Sequence, residues 1–393
     1  MNRRMFLGTL GGAAFGQGQP RIRITDVRLI PLKLVKTVGE VEPAWNPGTK
    51  TVIRIGGNSF VEIHTDRGIT GIGPGMDPVL LPAVKAQLVG RDPFDTEQHV
   101  GRLRYFAQGM SYRGAACVDI ALWDVIGKAC NQPLYKLWGG AKDRVSAYAS
   151  MMKLSTPEER AALASRLAGE GWKAIKLRLH HPTMKEDLRT VEMVRKAVGG
   201  RMEIMTDANQ AQSSGNWQPG VLWDFRRALE TARQLQQMDV YWLEEPLPRF
   251  AFDQLAEINR QVEMPLAGGE NNRLTHEFLE MCRKDVYDIL QPEGMVMEGL
   301  TAMRKIGALA EFYGKRVVPH HGGGDIGTVA HLHLIASWAH APYYELLHDP
   351  PIADYRHRFS IMQNPPQVDK DGYVALPQGP GLGVEVDPSL RGA

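Results

Sequence analysis

Ionisable side chains recur at the ends of short apolar runs through the second half of the chain. They are Lys176 and Arg178, Asp207 and Asn209, Glu244 and Glu245, Glu270, Glu293, His320 and His321, and Glu345. Asp207, Glu244 and Glu270 would repel one another strongly if gathered in a low dielectric. A hard divalent cation resolves that repulsion, and oxygen ligands without cysteine or histidine favour Mg2+ over Zn2+. Lys176 and Arg178 are expected on one side of the ion, Glu293 and His320 on the other. A carboxylate bonded to an imidazole raises its basicity and fixes its tautomer. His321 competes with His320, but adjacent strand residues face opposite ways and the register favours His320. Asn209 and Glu245 are expected to support the ligands through hydrogen bonds. Such a set suits removal of a proton alpha to a carboxylate. The ion and a cationic side chain stabilise the enediolate, and a lysine or histidine takes the proton.

Residues so far apart in sequence meet only if strand ends are gathered on one face. From about Val145, eight strand-like runs, from RVSAYAS to YYELLHD, alternate with helical stretches. That alternation predicts a β/α barrel, whose C-terminal strand ends form the active-site face. Ser155-Thr156-Pro157-Glu158 offers a helix cap with a proline in the first turn. The longest step between strand ends, Asp207 to Glu244, has its surplus in Gln210–Asp224, which contains Trp217 and Trp223. A lid, a subunit contact and a plain surface insertion all fit it. Ahead of the barrel, strand signals in 21–35 and 51–72 precede helical pattern over 79–138, with Pro93 offered as a helix start. The expected organisation is an α+β capping domain over 19–140, a barrel over 141–349, and a segment 350–393 returning to the cap.

Composition excludes several classes. The chain has 393 residues, 43% apolar and 23% charged, which is ordinary globular composition. Its 46 basic and 44 acidic residues leave a net charge of +2, against a dedicated nucleic-acid binder. No apolar run reaches the roughly 18 residues of a membrane span. Cys117, Cys130 and Cys282 are too few for a disulfide framework. Residues 1–18 carry Arg3-Arg4 followed by Met5-Phe6-Leu7 and a small-residue stretch. They read as a twin-arginine export signal, which places the folded protein in the periplasm. His64, His331 and His333 are read as structural.

Several motifs belong together. The cap run Ala121-Leu122-Trp123-Asp124 leads through Gly127-Lys128 and Pro133 to Leu137-Trp138-Gly139-Gly140. The barrel carries TDAN, WLEEP and GGEN. With these, residues 21 to about 385 resemble the mandelate racemase / muconate lactonizing enzyme group of the enolase superfamily. The resemblance implies an α/β fold, with an α+β cap over a modified (β/α)7β barrel of TIM type. It implies Asp207, Glu244 and Glu270 as Mg2+ ligands, and Glu345 beside a substrate carboxylate as a hydrogen-bond donor if protonated. It makes Val35–Thr51, with Trp45, a loop closing over the barrel, and it suggests a homo-oligomer. Gly322-Gly323-Gly324-Asp325 is read as a loop turning closely past the metal.

Two departures from the family pattern matter. Lys176-Leu177-Arg178 stands where Lys-x-Lys is usual, and arginine is a poor base. Lys176 is then expected to steady the carboxylate or enediolate. Glu293 stands where aspartate is common, so the extra methylene should displace His320 or loosen the dyad. Both favour one-base chemistry by His320: dehydration of a sugar acid to a 2-keto-3-deoxy acid. The alternatives are racemisation or epimerisation of a hydroxy or amino acid derivative, and a non-catalytic exported carbohydrate-binding protein.

Overall fold

The computed structural model describes residues 21–107, 112–212 and 217–392. The export segment read at 1–18 and part of the Gln210–Asp224 surplus lie outside them.

The cap opens with strands β1 (Ile24–Pro31), β2 (Leu34–Val41), β3 (Thr51–Gly56), β4 (Ser59–Thr65) and β5 (Thr70–Pro74). β1, β4 and β5 form an antiparallel sheet, while β2 and β3 pair as a separate hairpin. The first half of the expected loop Val35–Thr51 is therefore strand, because β2 finds a partner in β3. Helices α1 (Leu81–Leu88), α2 (Thr96–Ala107), α3 (Tyr112–Ala129) and the short α4 (Leu134–Leu137) follow. Pro93 does not start a helix; α2 begins at Thr96.

α3 is the hub of the cap, buried along nearly its whole length. It lies so close to β5 that a β-carbon on Gly71 or Gly73 would run into the carbonyl oxygens of Ala121 and Cys117. Two buried acids on α3 tie the parts together. Asp124 accepts from the backbone of Ile72 at 2.8 Å, from Leu382 at 2.8 Å and from Lys128 at 2.7 Å. Asp119 accepts from the backbone and hydroxyl of Thr301 at 2.9 and 2.6 Å.

The barrel strands are β6 (Arg144–Ser150), β7 (Ala174–Arg178), β8 (Glu203–Asp207), β9 (Leu243–Glu244), β10 (Leu266–Gly268), β11 (Ile289–Leu290), β12 (Arg316–Val317) and β13 (Tyr343–Leu347). Between them run α5 (Pro157–Gly169), α6 (Met184–Val198), α7 (Phe225–Gln237), α8 (Phe252–Gln261), α9 (Thr275–Lys284), α10 (Leu300–Phe312) and α11 (Asp325–Ser337). This is the (β/α)7β order. The strands are parallel and pair in the order β12-β11-β10-β9-β8-β7-β6-β13. The sheet curls to an open seam between β12 and β13, stitched by Val317 N–H to the His340 carbonyl at 3.1 Å. Local sequence fixes where helices start: Thr156 with Glu159, and Thr183 with Glu186, form reciprocal capping boxes on α5 and α6.

After the barrel come α12 (Tyr355–Phe359), β14 (Met362–Gln363), β15 (Tyr373–Ala375) and β16 (Glu385–Val386). β15 pairs antiparallel with β6, and the last residues run back to the cap, where Gly392 N–H meets the Pro31 carbonyl at 2.7 Å.

Candidate active site

Seven side chains form a buried floor inside the barrel: Tyr148, Ala174, Met205, Trp242, Ala267, Ile289 and Val318. Strand side chains alternate, so the residue two places on points inward one layer higher. Two places on stand Ser150, Lys176, Asp207, Glu244, Gly269, Gln291 and His320, and Glu345 follows Tyr343 on β13. The chemistry-bearing ring is thus the second layer of the barrel. Glu270 joins from the next position because Gly269 turns the chain at φ 120°, a conformation open to glycine. Asn209 and Glu245 also adopt positive φ, 47° and 44°. Such strain concentrates at functional sites.

Ligand oxygens of Asp207, Glu244 and Glu270 all lie within 4.8 Å of one another. Asn209 orients Asp207 twice, by its backbone N–H at 2.7 Å and its amide at 3.1 Å. Glu245 shares the Asn271 amide with Glu270, each accepting from its Nδ2 at 3.3 Å. Burial, then Glu270, pushes the Glu245 carboxyl well above the ordinary range. Burial and the adjacent charge of Asp207 push Glu244 up to about 8.

Lys176 is completely buried, with Nζ 2.8 and 2.9 Å from the two oxygens of Glu244, 2.9 Å from Glu345 and 3.5 Å from Asp207. Burial works against its charge, but Glu244 and Glu345 outweigh that and hold the ammonium well above its usual range. Arg178 pairs with Asp207, and donates to the Met151 carbonyl at 2.8 Å, Ser150 at 3.1 Å and Asn209 at 3.3 Å. Trp45 from the cap covers the guanidinium, 5.0 Å from ring centre to Cζ. Both cations lie against the acids themselves rather than apart from them.

On the opposite side, His320 Nδ1 meets Glu293 Oε2 at 2.8 Å, and Nε2 lies 3.2 Å from Glu270 Oε2. At 2.8 Å the dyad is not loosened by the longer glutamate. Gly322 N–H binds the same Glu293 oxygen at 2.9 Å, and Met295 N–H binds the other at 2.8 Å. Burial would raise Glu293, but His331 and His320 bring it down to about 2. Burial would lower His320, yet Glu270, Glu345 and Glu293 raise it to about 10. His321 does not face away as strand alternation suggests. β12 ends at Val317, and the two imidazoles lie 4.0 Å apart. Burial and the charge of His320 keep His321 well below its ordinary value, hence neutral.

His331 is more than a core residue. Its Nδ1 lies 2.6 Å from the His320 carbonyl, and its Nε2 accepts from Gly294 N–H at 3.3 Å. That pattern fixes the Nδ1–H tautomer and braces the backbone of the base. His333 and His64 make structural contacts, to the Leu382 carbonyl and to Glu62. Glu345 is buried beside Lys176; burial would raise it, but Lys176 and His320 hold it well below the carboxylate range. In this arrangement it faces the Lys176 ammonium as an ion-pair partner.

The donor set fits a divalent cation. Acids at the mouth outnumber Lys176 and Arg178, and Glu270 Oε2 is a buried oxygen without a hydrogen-bond partner. Glu293, His320 and His321 also approach within 4.8 Å. There the hydrogen bonds already satisfy the carboxylate, so that group is a dyad with a neighbour.

Sequence reasoning passed over neutral contributors. Gln291 and Trp242 both donate to Glu244 Oε2, at 2.8 and 3.2 Å. Ser150 holds Arg178, and the buried Tyr148 pairs in register with Glu345. Counting two places on from each apolar strand residue would have found Ser150 and Gln291. Above the ring, Trp45 and Pro47 of the cap meet Gln218, Pro219, Gly220 and Trp223 of the surplus loop across a narrow cleft. Trp223 is buried, and Trp217 is 72% exposed.

Comparison with known proteins gives the same picture. The sequence matches the mandelate racemase / muconate lactonizing enzyme N-terminal domain over residues 37–139 and the enolase C-terminal domain-like family over residues 159–390. It is 32% identical over 288 residues to an arabinonate dehydratase of Saccharolobus solfataricus, covering 72% of each chain. It is 32% identical over 290 residues to a 3,6-anhydro-alpha-L-galactonate cycloisomerase of Streptomyces coelicolor, covering 73% of each. Its fold is similar to that of a D-glucarate dehydratase from Agrobacterium tumefaciens complexed with magnesium. The TM-score there is 0.79 at 26% identity, over 94% of this chain and 99% of that one.

Proposed function

The chain belongs to the mandelate racemase / muconate lactonizing enzyme group of the enolase superfamily, and from that premise we propose that it dehydrates a sugar acid to a 2-keto-3-deoxy acid. The observation that carries this reading is the asymmetry of the two faces. Arg178, where a second base would stand, is a guanidinium tied to Met151, Ser150, Asp207 and Asn209. His320 is fixed through Nδ1 by Glu293, and its Nε2, 3.2 Å from Glu270 Oε2, would be released for proton transfer when Glu270 holds the ion.

Asp207, Glu244 and Glu270 would hold Mg2+, which when bound supplies positive charge to the substrate carboxylate and makes the α-proton more acidic. His320 Nε2 takes that proton, and Glu293 stabilises the imidazolium that results. Lys176 keeps its charge and offers an ammonium to the enediolate oxygens. The imidazolium then returns its proton to the β-hydroxyl, which leaves as water. The enol so formed tautomerises to the keto acid. One C–H and one C–O bond break, and no redox partner is needed.

Incubation with a library of acid sugars in deuterated water tests this. A semicarbazide-reactive keto acid is the expected product. Deuterium uptake without a keto acid points to epimerisation instead. A product from a cyclic acid that takes up deuterium but loses no water points to cycloisomerisation, a second reading that the Streptomyces coelicolor relative supports. With neither exchange nor product from any acid, both readings fail and the non-catalytic alternative returns.

The reading extends to location and assembly. Residues 1–18 act as a twin-arginine signal, so replacing Arg3 and Arg4 by lysine should retain the protein in the cytoplasm on fractionation. The folded chain assembles as a homo-oligomer, which sedimentation analysis would establish.

A further inference from the structure

Every charged residue in the ring above the barrel floor has been given a task. One neutral amide, Gln291, has not. It is 1% exposed, and its Nε2 donates to Glu244 Oε2 at 2.8 Å. Its own Oε1 is buried without a partner. The same Glu244 oxygen takes a second bond from Trp242 Nε1 at 3.2 Å, and Trp242 is pinned edge-on by Tyr148 at 5.5 Å between ring centres. Glu244 Oε2 therefore meets two neutral donors besides Lys176, while Oε1 meets Lys176 alone.

A half-satisfied buried amide is a cost to folding. An apolar side chain of similar shape would fill the place without that cost. Its presence is better explained by what it does to Glu244. Donors that occupy one oxygen of a carboxylate ligand fix its rotation. Removing such supports commonly weakens metal affinity about 10- to 100-fold.

We propose that Gln291, backed by Trp242, is a positioning residue that caps Glu244 Oε2 and so fixes the orientation in which this carboxylate meets the divalent cation. The proposal rests on the metal site at Asp207, Glu244 and Glu270, and it concerns binding in the absence of substrate.

Mn2+ titration of the full-length protein, followed by electron paramagnetic resonance, tests it, with metal-free thermal unfolding as the control. Gln291→Met should weaken Mn2+ binding about 10- to 100-fold while the metal-free Tm stays level or rises. A purely structural amide would give the opposite pattern: a lower metal-free Tm with the Mn2+ affinity of the folded fraction unchanged. Trp242→Phe keeps the ring and removes only the N–H, and should weaken binding by a smaller factor. An affinity within twofold of the unsubstituted protein in Gln291→Met overturns the proposal. If that variant does not fold, an unchanged affinity in Trp242→Phe overturns it instead, and a weakened one supports it. An unsubstituted protein that takes up no Mn2+ overturns the metal site itself, and this inference with it.

Discussion

The junction between cap and barrel and the mouth of the barrel both bury carboxylates, and they treat them in opposite ways. At the junction, Asp124 and Asp119 lie at zero exposure, each with both oxygens taken by backbone or side-chain donors. At the mouth, Asp207, Glu244, Glu270 and Glu345 crowd round two cations, and Glu345 Oε1 and Glu270 Oε2 meet only ion-pair contacts, from Lys176 at 2.9 Å and His320 at 3.2 Å. The same residue type is a rivet in one place and an unfinished site in the other. What separates the roles is crowding: each junction acid stands among its own donors, whereas four acids at the mouth share Lys176 and Arg178. Burying an acid without donors is costly, and here that cost marks where an ion and a ligand belong.

The sharpest way to break this contrast is at Glu270. Glu270→Gln should abolish metal binding and turnover, and its metal-free Tm should not fall, because like-charge crowding is relieved. Isothermal titration with Mg2+ showing retained affinity would remove Glu270 from the ligand set. Next in size is His320→Asn. It should cut α-proton exchange by roughly 10²- to 10⁴-fold while Mg2+ affinity changes little; loss of both together would mean that the histidine is part of the ion site. At the junction the expectation reverses. Asp124→Ala leaves the N–H groups of Ile72 and Leu382 and the Lys128 ammonium without their acceptor. Stability should drop by about 3–5 kcal/mol, seen as a lower urea midpoint, with the folded fraction still binding metal.

The smallest effect concerns acid pH. Glu293 has a folded pKa of about 2 against an ordinary 4.5, held down by His331 and His320, with His321 adjacent. A depressed carboxylate contributes stability that is present above pH 4.5 and is lost as pH falls towards 2. That contribution is about 3 kcal/mol or less. Glu293→Gln should flatten this part of the urea-midpoint profile in EDTA. Equal slopes for the two proteins between pH 5 and 2 would count against a charged dyad.

The order of strands and helices was legible because the barrel strands lead into polar groups and α5, α6 and α7 start at side-chain caps, Thr156, Thr183 and Asp224. Asp207, Glu244 and Glu270 announce themselves for a related reason: acids at strand ends, spaced by one βα unit, have few structural explanations as a set. Gln291 and Trp242 were hidden because a neutral residue beside an apolar run reads as core. The contact of Trp45 with Arg178 joins a hairpin to a strand more than a hundred residues on, and no local pattern reports it. The choice between His320 and His321 was argued from strand alternation, which stops at Val317. What singles out His320 in space is Glu293, placed by Gly322 and Met295.

The tail that brings Gly392 against Pro31 and Arg391 against Glu62 carries a consequence for how the chain is made. The barrel is an insertion within the cap, so the cap lacks some of its pieces until the residues beyond the barrel have been made. Leu382 completes the shell of Asp124 only then. A chain stalled before residue 380 would hold all the barrel strands and the Asp119–Thr301 tie, but Asp124 would lack its Leu382 donor.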